Sequence, residues 1–259
     1  MRNAILITGF NGEIGRQTLH SLCKRKIHII ALDINKSDIK YDNVMFIKDS
    51  ILNQDVIKSI FNDFNIIEIY HFAALLSQSA NDNPELANKV NEEGSKAIIN
   101  TAMHYAQTNK SFIKIFFPSS IAVYGPRKLK NAKELDIMKP QTIYGCNKLA
   151  IEQYGTNKHE ESLKLGFGID FRCLRLPGII SPYTIPYGGT TDFAPQMLHA
   201  ACNNESFICK VDPMTILPFL GIENAVKAIL DIMSFKNIDS NLRSFNVQEM
   251  ILSPKEIIK

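Results

Sequence analysis

The sequence predicts an α/β fold built on a parallel sheet, and three observations support this prediction. Short apolar runs of strand length alternate with stretches of helix length along most of the 259 residues. The runs are apolar at consecutive positions, as in strands that are buried on both faces. A glycine-rich turn joins the first run to the first helical stretch. Alternation of this kind is typical of a sheet covered by helices on both sides.

The elements follow from these patterns in chain order. The predicted strands are Ala4–Thr8, His28–Asp33, Val44–Lys48, Ile66–Phe72, Lys114–Pro118 and Asp170–Leu176. The predicted helices are Gly12–Lys24, Asn53–Phe64, Pro84–Gln107 and Tyr144–Leu165. Near the end of the chain, Ser244–Gln248 is predicted as the last strand. Ser253–Glu256 has the capping-box pattern of a helix that begins at Pro254.

The composition argues against several kinds of partner and location. Hydrophobic residues make up 45% and charged residues 21% of the chain, which is ordinary for a globular core. A net charge of +3 is too small to indicate a nucleic-acid or membrane partner. No apolar run reaches the length of about 18 residues that a membrane span needs. Met1 leads directly into an apolar run, so we expect no signal peptide and a cytoplasmic protein.

The cysteines and histidines show no pattern of a bound metal. Five cysteines are scattered along the chain without a CxxC pair, and the six histidines lack ligand spacing. We therefore expect neither a disulfide framework nor a metal site. Cys146 is interpreted as a packing residue, and His71 after the fourth predicted strand is interpreted in the same way.

A glycine-rich turn follows the first predicted strand. Gly9, Gly12 and Gly15 give the spacing GxxGxxG, which serves a tight turn, close backbone approach to a pyrophosphate and close packing of helix on strand. The helix that begins there would direct its free N–H groups and its positive dipole end at the phosphates. The turn therefore predicts a dinucleotide site, with a simple tight turn as the alternative.

Asp33 ends the second predicted strand. A carboxylate at this place can accept hydrogen bonds from the ribose hydroxyls of a dinucleotide and repels a 2′-phosphate. Asp33 therefore predicts NAD rather than NADP as the cofactor. The alternative is an aspartate that only caps the turn at the end of the strand.

Tyr144 and Lys148 stand four residues apart at the head of a predicted helix, which places them about 5–6 Å apart on one helical face. A lysine ammonium beside a phenol lowers the tyrosine pKa from about 10. A tyrosine with a lowered pKa is a usable base for a hydroxyl proton. Ser119 and Ser120 follow the fifth predicted strand, where ligands of open α/β sheets bind. These residues predict an acid–base site.

The stretch Ile185–Phe193, which reads IPYGGTTDF, has neither helical periodicity nor strand alternation. Its glycines permit close approach of the backbone to a ligand, and its threonines add hydrogen-bond donors and acceptors. The stretch suits a small polar ligand. Asp192 has a simpler interpretation, which is that it holds its own loop through a local hydrogen bond.

Longer motifs carry a resemblance to a known family. They read HFAALLSQSANDNPELANKVNEEG, KIFFPSSIAVYGP, LRLPGIIS and YGGTTDF. With the glycine turn and the YxxxK pair, they resemble the extended short-chain dehydrogenase/reductases. Within these, the chain looks like the short-chain L-threonine 3-dehydrogenases, a group similar to UDP-galactose 4-epimerase. The resemblance runs from Ile5 to about Pro254 and implies a Rossmann-type doubly wound parallel sheet.

The resemblance implies an NAD-dependent enzyme of threonine catabolism that oxidises C3 of L-threonine to L-2-amino-3-oxobutanoate. The implied catalytic residues are Ser120, Tyr144 and Lys148. The expected cofactor-binding residues are Gly9, Asn11, Gly12, Glu13, Ile14, Gly15, Asp33, Asp49, Ser50, Ala73, Ala74, Asn91, Tyr144, Lys148, Leu176, Gly178 and Ile179. The expected substrate-binding residues are Ser77, Ser119, Tyr144, Gly189, Thr190 and Thr191.

Three of these substrate residues have an expected role. The N–H of Gly189 and the hydroxyls of Thr190 and Thr191 would donate to the substrate carboxylate. Ser77 has an alternative interpretation as a helix N-cap. The resemblance also implies a homodimer through the helices Pro84–Gln107 and Tyr144–Leu165.

The C-terminal part departs from the family. The family continues beyond the last predicted helix and supplies a tryptophan near the substrate, whereas this sequence has no tryptophan. We therefore expect a small, truncated substrate-binding part, unless the given sequence is itself incomplete. The expected division is an NAD-binding core over residues 1–176 and substrate-binding loops over residues 177–259, which also supply the last helix and strand of the core.

Two other functions stay open. The first is a nucleotide-sugar 4-epimerase or dehydratase on the same fold. Such epimerases read LRYFN where this chain reads LRLPG, so that Gly178 stands in place of an asparagine that contacts the diphosphate. The second is a non-catalytic NAD-binding protein, which the shortened C-terminal part keeps open.

Overall fold

The main architectural feature is a parallel sheet with helices on both faces. The structure, a computed structural model, describes residues 1–126, 132–183, 189, 191–238 and 241–258. Over these residues, the main sheet consists of β1 (Arg2–Thr8), β2 (His28–Asp33), β3 (Val44–Lys48), β4 (Phe64–His71), β5 (Phe112–Ser120), β6 (Gly168–Leu176) and β9 (Ser244–Asn246). The strand order is β3-β2-β1-β4-β5-β6-β9, and every pairing is parallel. The predicted Rossmann-type doubly wound sheet is confirmed.

A smaller sheet lies beside the main one. It has the order β10-β8-β7 and is formed by β7 (Gly178–Ile180), β8 (Leu217–Gly221) and β10 (Met250–Leu252). β8 pairs parallel with β7 and antiparallel with β10. The sequence analysis did not predict these strands, because each is short and two of them begin directly beside a proline or a glycine.

The helices between the strands are α1 (Glu13–Leu22), α2 (Gln54–Asp63), α3 (Ser77–Asp82), α4 (Pro84–Ala87), α5 (Ser95–Asn109), α6 (Ile143–Leu165), α7 (Phe193–Cys202), α8 (Ile222–Ser234) and α9 (Pro254–Ile257). A 3₁₀ turn, Ile121–Tyr124, follows β5 directly. At α9 the predicted capping box is present, with both hydrogen bonds between Ser253 and Glu256 formed. Among the described residues, no helix combines the length and the apolar character that crossing a bilayer would require.

Two apolar cores cover the two faces of the main sheet. One packs strand residues such as Ile115 and Phe171 against α2, α5 and α6, and the other packs residues such as Ile7 and Phe116 with α1 and α8. Gly155 brings α6 close to the sheet, because any Cβ at this position would collide with the Phe171 ring. This packing fixes α6, which carries the predicted Tyr–Lys pair, against β5 and β6.

The predicted helix Pro84–Gln107 is confirmed, but it is not an α-helix throughout. It consists of α4, a π-helical segment over Asn88–Gly94, and α5, which follow one another without a break. At the end of this segment, the hydroxyl of Ser95, the first residue of α5, donates a hydrogen bond to the backbone carbonyl of Asn91 at 2.7 Å. Such a contact competes with the helical hydrogen bonds. π-Helical bulges are frequent at functional sites, and this one lies beside the cleft described next.

Candidate cofactor and active site

A cleft with a volume of about 1140 Å³ opens where β1, β4, β5 and β6 end. It lies at the switch point of the sheet, where ligands of doubly wound folds bind. The predicted site residues that line it are Gly9, Asn11, Gly12, Glu13, Ile14, Gly15, Asp33, Asp49, Ser50, Ala73, Ala74, Ser77, Ser119, Ser120, Tyr144, Lys148, Leu176, Gly178, Ile179, Gly189 and Thr191. Asn91 does not line the cleft, and Thr190 lies outside the described residues.

The glycine turn at the start of α1 is too tight for side chains. Gly9 has a φ of +69°, and a Cβ at this position would collide with the backbone of Ala73. A Cβ on Gly15 would lie 2.5 Å from the carbonyl oxygen of Gly9. Gly12 caps α1 without a side-chain hydrogen bond, so no side chain at that cap covers the helix N-terminus. This backbone arrangement suits a pyrophosphate.

Asp33 is held at the end of β2 by two backbone groups. Its carboxylate oxygens accept hydrogen bonds from the N–H of Asn11 at 3.0 Å and from the N–H of Asn35 at 2.9 Å. Both the predicted role and the alternative role are compatible with this geometry, since each oxygen keeps a second lone pair. The Asn11 side chain accepts a hydrogen bond from Arg16 at 3.0 Å, which places a guanidinium near the same edge of the cleft.

His71 belongs to a buried hydrogen-bonded chain that the sequence analysis missed. Ser95 uses its hydroxyl hydrogen on the carbonyl of Asn91 and therefore accepts from His71 Nε2 at 2.9 Å. His71 Nδ1 then accepts from the hydroxyl of Thr8 at 2.6 Å. Burial, together with the charge of Lys148, lowers the pKa of His71 to about 3. His71 is therefore neutral and does more than pack.

Asn91 supports the wall of the cleft from behind. Its side-chain amide accepts from the N–H of Leu75 at 2.7 Å and donates to the carbonyl of Leu75 at 3.0 Å. Leu75 belongs to the segment after β4, which lines the cleft. Asn91 is only 3% exposed, so its side chain positions this segment. The sequence analysis expected Asn91 among the cofactor-binding residues, and it could not distinguish lining the cleft from supporting its wall.

The predicted catalytic residues come together at one end of the cleft. The side chain of Ser120 is close enough to Tyr144 to influence the pKa of the phenol, and its oxygen accepts from the N–H of Ala122 at 3.2 Å. Lys148 Nζ lies 5.4 Å from the centre of the Tyr144 ring. α6 positions both of these side chains, because its first turn is capped by Thr142, whose hydroxyl accepts from the N–H of Gly145 at 3.0 Å.

The prediction that Lys148 lowers the pKa of Tyr144 is wrong for this structure. Burial raises the pKa of Tyr144 to about 12, and only the side chain of Ser120 opposes the rise. The Lys148 ammonium instead donates to the carbonyl of Pro118 at 2.7 Å. Burial lowers the pKa of Lys148 itself to about 8. The helical spacing correctly predicted that Lys148 lies near Tyr144. It did not predict that the ammonium donates its hydrogen bond to Pro118.

Ser119 is a buried polar group without a partner among the described residues. Ser119 is 2% exposed, and its hydroxyl forms no hydrogen bond within the described part of the chain. Leaving a buried hydroxyl unpaired costs about 1–3 kcal/mol. Since Ser119 also lines the cleft, its unpaired hydroxyl is a candidate for contact with a ligand.

The loop before α7 corrects one prediction and supports another. The N–H of Gly189, expected to donate to a substrate carboxylate, donates instead to Asp192 Oδ2 at 2.6 Å. The interpretation of Asp192 as a residue that holds its own loop is therefore confirmed. Thr191 lines the cleft and packs against Gly178. Residues 184–188 and Thr190, which complete the glycine-threonine stretch, lie outside the described residues.

Two smaller interpretations also change. Ser77 is the first residue of α3, and Leu76 occupies the N-cap, so the N-cap alternative for Ser77 is wrong. Cys146 is exposed, with its thiol 3.9 Å from the carbonyl of Pro140, and it is therefore not a core residue.

A buried ion pair behind the catalytic residues was also missed. Arg175 donates to Glu152 at 2.7 Å, and both side chains are less than 5% exposed. Arg175 also donates to the hydroxyl of Tyr124 at 2.8 Å, which in turn donates to Asn246 at 2.7 Å. These bonds fix the 3₁₀ turn that follows Ser120. The spacing of Glu152, one helical turn after Lys148, was a signal that could have identified it.

The residues of the cleft fit a dinucleotide. The glycine turn offers backbone to a pyrophosphate, Asp33 faces the place of a ribose, and Ser119 has an unpaired hydroxyl at the far end. The sequence pattern of the NAD dependent epimerase/dehydratase family matches residues 5–247 of the chain. This chain belongs to that family. NAD, the predicted cofactor, is the cofactor of the NAD dependent epimerase/dehydratases.

Relatives of the chain within this family include L-threonine 3-dehydrogenases. The mitochondrial L-threonine 3-dehydrogenase of Bos taurus is 34% identical over 257 residues, which are 98% of this chain and 66% of that protein. The chain therefore spans just under two thirds of the length of this relative. The resemblance that the sequence motifs predicted is confirmed.

Solved structures give the same resemblance. An L-threonine dehydrogenase from Phytophthora infestans superposes with a TM-score of 0.87 at 29% identity, covering 98% of this chain and 80% of that one. A monomeric L-threonine 3-dehydrogenase from a metagenome superposes with a TM-score of 0.83 at 31% identity, with coverage of 98% and 80%.

Proposed function

We propose that the chain is an NAD-dependent L-threonine 3-dehydrogenase, which oxidises the C3 hydroxyl of L-threonine to the ketone of L-2-amino-3-oxobutanoate. The observation that carries this proposal is that Ser120, Tyr144 and Lys148 line the same end of the dinucleotide cleft, with Lys148 Nζ 5.4 Å from the centre of the Tyr144 ring. This group can withdraw a proton from a hydroxyl. The resemblance to L-threonine 3-dehydrogenases supports the choice of substrate.

In the proposed reaction, Tyr144 removes the proton from the C3 hydroxyl, and the C3 carbon becomes a carbonyl carbon. The Ser120 hydroxyl donates a hydrogen bond to the same oxygen and thereby holds it beside the phenol. NAD, when bound, accepts the hydride that leaves C3. Lys148 keeps donors beyond the one it gives to Pro118, and these bind the hydroxyls of the cofactor ribose.

The amino-acid part of the substrate is assigned to the wall formed by Ser77, Ser119 and Thr191, all of which line the cleft. Their hydroxyls are neutral donors suited to a carboxylate. A site built on such bonds discriminates strongly, because an analogue without the partner leaves buried polar groups unpaired. Thr190 is also still predicted to bind the substrate. In this proposal, residues 177–259 form the substrate-binding part, beside the NAD-binding core of residues 1–176.

The environment of Gly178 favours the dehydrogenase over the epimerase alternative. A Cβ at Gly178 would lie 2.6 Å from the Phe219 ring and 2.8 Å from Cβ of Thr191. The position therefore has no room for the asparagine that nucleotide-sugar epimerases carry there. Without this asparagine, the diphosphate of a nucleotide sugar would lose a contact beside Gly178.

An absorbance assay tests the proposal. Purified protein is mixed with NAD and L-threonine, and NADH formation is followed at about 340 nm. Tyr144→Phe deletes one hydroxyl and is expected to lower the rate by about 10²- to 10⁴-fold, with unchanged binding of NAD. Absence of L-threonine-dependent NADH formation together with 4-epimerisation of a UDP-sugar would favour the epimerase. NAD binding without any turnover would favour the non-catalytic protein.

Other features of the proposed enzyme remain predictions from the sequence. They are a cytoplasmic location, a role in threonine catabolism and a homodimer. Fractionation of cells that express the protein tests the first, and growth on threonine as the nitrogen source tests the second. The homodimer is taken up in the Discussion.

A further inference from the structure

Asp192 places a carboxylate on the side of the cleft that is proposed to bind the substrate. It lines the cleft and directly precedes α7, next to Thr191, which packs against Gly178 of β7. The other carboxylates among the described residues of the lining lie where the dinucleotide is expected, at the start of α1 and at the ends of β2 and β3, and they are Glu13, Asp33 and Asp49. Asp192 is therefore set apart from the carboxylates around the cofactor.

The loop uses only part of the acceptor capacity of this carboxylate. Asp192 Oδ2 accepts a hydrogen bond from the N–H of Gly189 at 2.6 Å. Although Asp192 is the N-cap residue of α7, its side chain forms no capping hydrogen bond. Since a carboxylate can accept about four hydrogen bonds, the bond to Gly189 leaves acceptor positions for a ligand.

Asp192 is half-buried, and within the described ranges of the chain no cationic side chain forms an ion pair with it. Burial raises its pKa, and the N–H of Gly189 opposes the rise. Lys148, the only lysine or arginine among the described residues of the cleft lining, donates to the carbonyl of Pro118. A carboxylate removed from water is unfavourable unless a positive charge accompanies it. This environment therefore suits a ligand that brings a cationic group.

We infer that Asp192 binds the α-ammonium group of the substrate, an inference that rests on the proposed oxidation of an amino acid. The neutral hydroxyls of Ser77, Ser119 and Thr191 then hold the substrate carboxylate, so that the zwitterion is recognised at both of its charges. The carboxylate of Asp192 also opposes the diphosphate of a nucleotide sugar, because like charges held close together are unfavourable. Asp192 is thus a specificity-determining residue for 2-amino-3-hydroxy acids.

Asp192→Asn tests the role of the charge. Its amide oxygen can still accept from the N–H of Gly189, so that the loop keeps its hydrogen bond while the negative charge is lost. We expect the KM for L-threonine to rise by about tenfold to a hundredfold, with an unchanged affinity for NAD. Asp192→Ser, which also lacks the charge and is a favoured N-cap residue, should give the same result. Asp63→Asn, at an exposed aspartate of α2 outside the cleft, is the matched control.

A substrate analogue tests the same contact from the side of the ligand. (R)-3-Hydroxybutanoate has the C3 hydroxyl and the carboxylate of L-threonine but no ammonium group. Equilibrium binding of both compounds to the protein loaded with NADH, which allows no oxidation, measures the contribution of the ammonium. The parent protein should bind L-threonine about tenfold to a hundredfold more tightly than the analogue. Asp192→Asn should remove most of this preference by weakening the binding of L-threonine.

Several results would overturn the inference. One is a preference for L-threonine that persists in both uncharged variants, and another is a parent protein that does not bind L-threonine. A third is weaker binding of NAD relative to NADH in the variants, since it would show that Asp192 serves the positive charge of the nicotinamide ring.

The binding experiment needs no turnover, so its outcome is separable from the proposed function. Binding of L-threonine that depends on Asp192 but gives no NADH would refute the proposed oxidation alone. Oxidation of L-threonine with an unchanged KM in the Asp192 variants would refute this inference alone.

Discussion

At the level of single residues, burial sets the protonation states of the cleft more than neighbouring charges do. The pKa of Tyr144 is raised, and those of Lys148 and His71 are lowered, with burial as the largest cause in each case. Each shift disfavours the charged form of the side chain, as desolvation does. The side chain of Ser120 is the neighbour that lowers the pKa of Tyr144, which is the direction a base requires.

The raised pKa of Tyr144 predicts an alkaline pH dependence. A tyrosine base acts in its deprotonated form, and with a pKa of about 12 that form becomes more abundant as the pH rises. We expect kcat for L-threonine at saturating NAD to increase by up to about tenfold per pH unit between about pH 6 and pH 9. Ser120→Ala removes the opposing hydroxyl and should shift the rising limb to higher pH. A flat profile in this range would exclude Tyr144 as the base.

Asp33 is predicted to select NAD over NADP. Its carboxylate would face a 2′-phosphate, and like charges held close together cost several kcal/mol. Asp33→Ser should therefore raise the NADP:NAD ratio of kcat/KM by about tenfold to a hundredfold, helped by Arg16 at the same edge. Arg16→Ala in the same background should reverse part of the gain. Equal use of NAD and NADP by the parent protein would contradict the role assigned to Asp33.

At the level of elements, the π-helical segment Asn88–Gly94 connects several parts of the site. Asn88 accepts a hydrogen bond at 2.8 Å from Asn147, which lies on α6 between Tyr144 and Lys148 in the sequence. Asn91 holds the segment after β4 at Leu75, and Ser95, next to the π-helical turn, completes the chain through His71 to the end of β1. A regular helix would place these side chains differently, since each inserted residue rotates the helix by about 100°.

Ser95→Ala tests this connection. It removes the acceptor of His71 and should lower the free energy of unfolding by about 1–3 kcal/mol, because a buried N–H is left unpaired. It should also weaken NAD binding through the displaced segment after β4. Urea unfolding and NAD titration measure the two effects, with Ser59→Ala, at an exposed serine of α2, as the control. Recovery of both properties in Ser95→Thr, which restores a hydroxyl, would support the hydrogen bond as the cause. Loss of stability with unchanged NAD binding would contradict the positioning role.

At the level of the whole molecule, the outer faces of α5 and α6 are more polar than the sequence pattern indicated. Ile98 is fully buried against the sheet, and Leu86 and Val90 line the cleft. The helical spacing of the apolar residues Leu86, Val90, Ala97 and Ile98 had indicated a dimer interface on these helices, with the provision that some of them face the sheet instead. The outer surface carries polar pairs instead, including Lys96 with Glu92 and Lys158 with Glu161.

We therefore expect any homodimer to be weak. Permanent dimers have interfaces that resemble a domain core, and this face does not. Sedimentation velocity over a range of micromolar concentrations should show the 29.2 kDa monomer in exchange with a larger species, with the proportion of the larger species rising with concentration. A stable dimer that does not dissociate on dilution would show that this prediction is wrong.

The sequence by itself determined the class of sheet, the position of the glycine turn and the residues that border the cleft. These follow from local signals: apolar runs, glycine spacing, and residues placed at the ends of strands. Because parallel strands end at one edge, side chains that follow β1, β4 and β5 must meet there. Resemblance of motifs then extended the assignment to Thr191 and Gly178, whose role no periodicity indicates.

Only the tertiary structure decided how these groups are used. Burial, which is not visible in the YxxxK spacing, raises the pKa of Tyr144. The Lys148 ammonium donates to the carbonyl of Pro118, a contact that the spacing does not show either. Asp192 takes the N–H of Gly189, and Ser181 reaches Glu13 across 168 residues. Hydrogen bonds of this kind depend on distances between segments that are remote in sequence, and no local pattern encodes such distances.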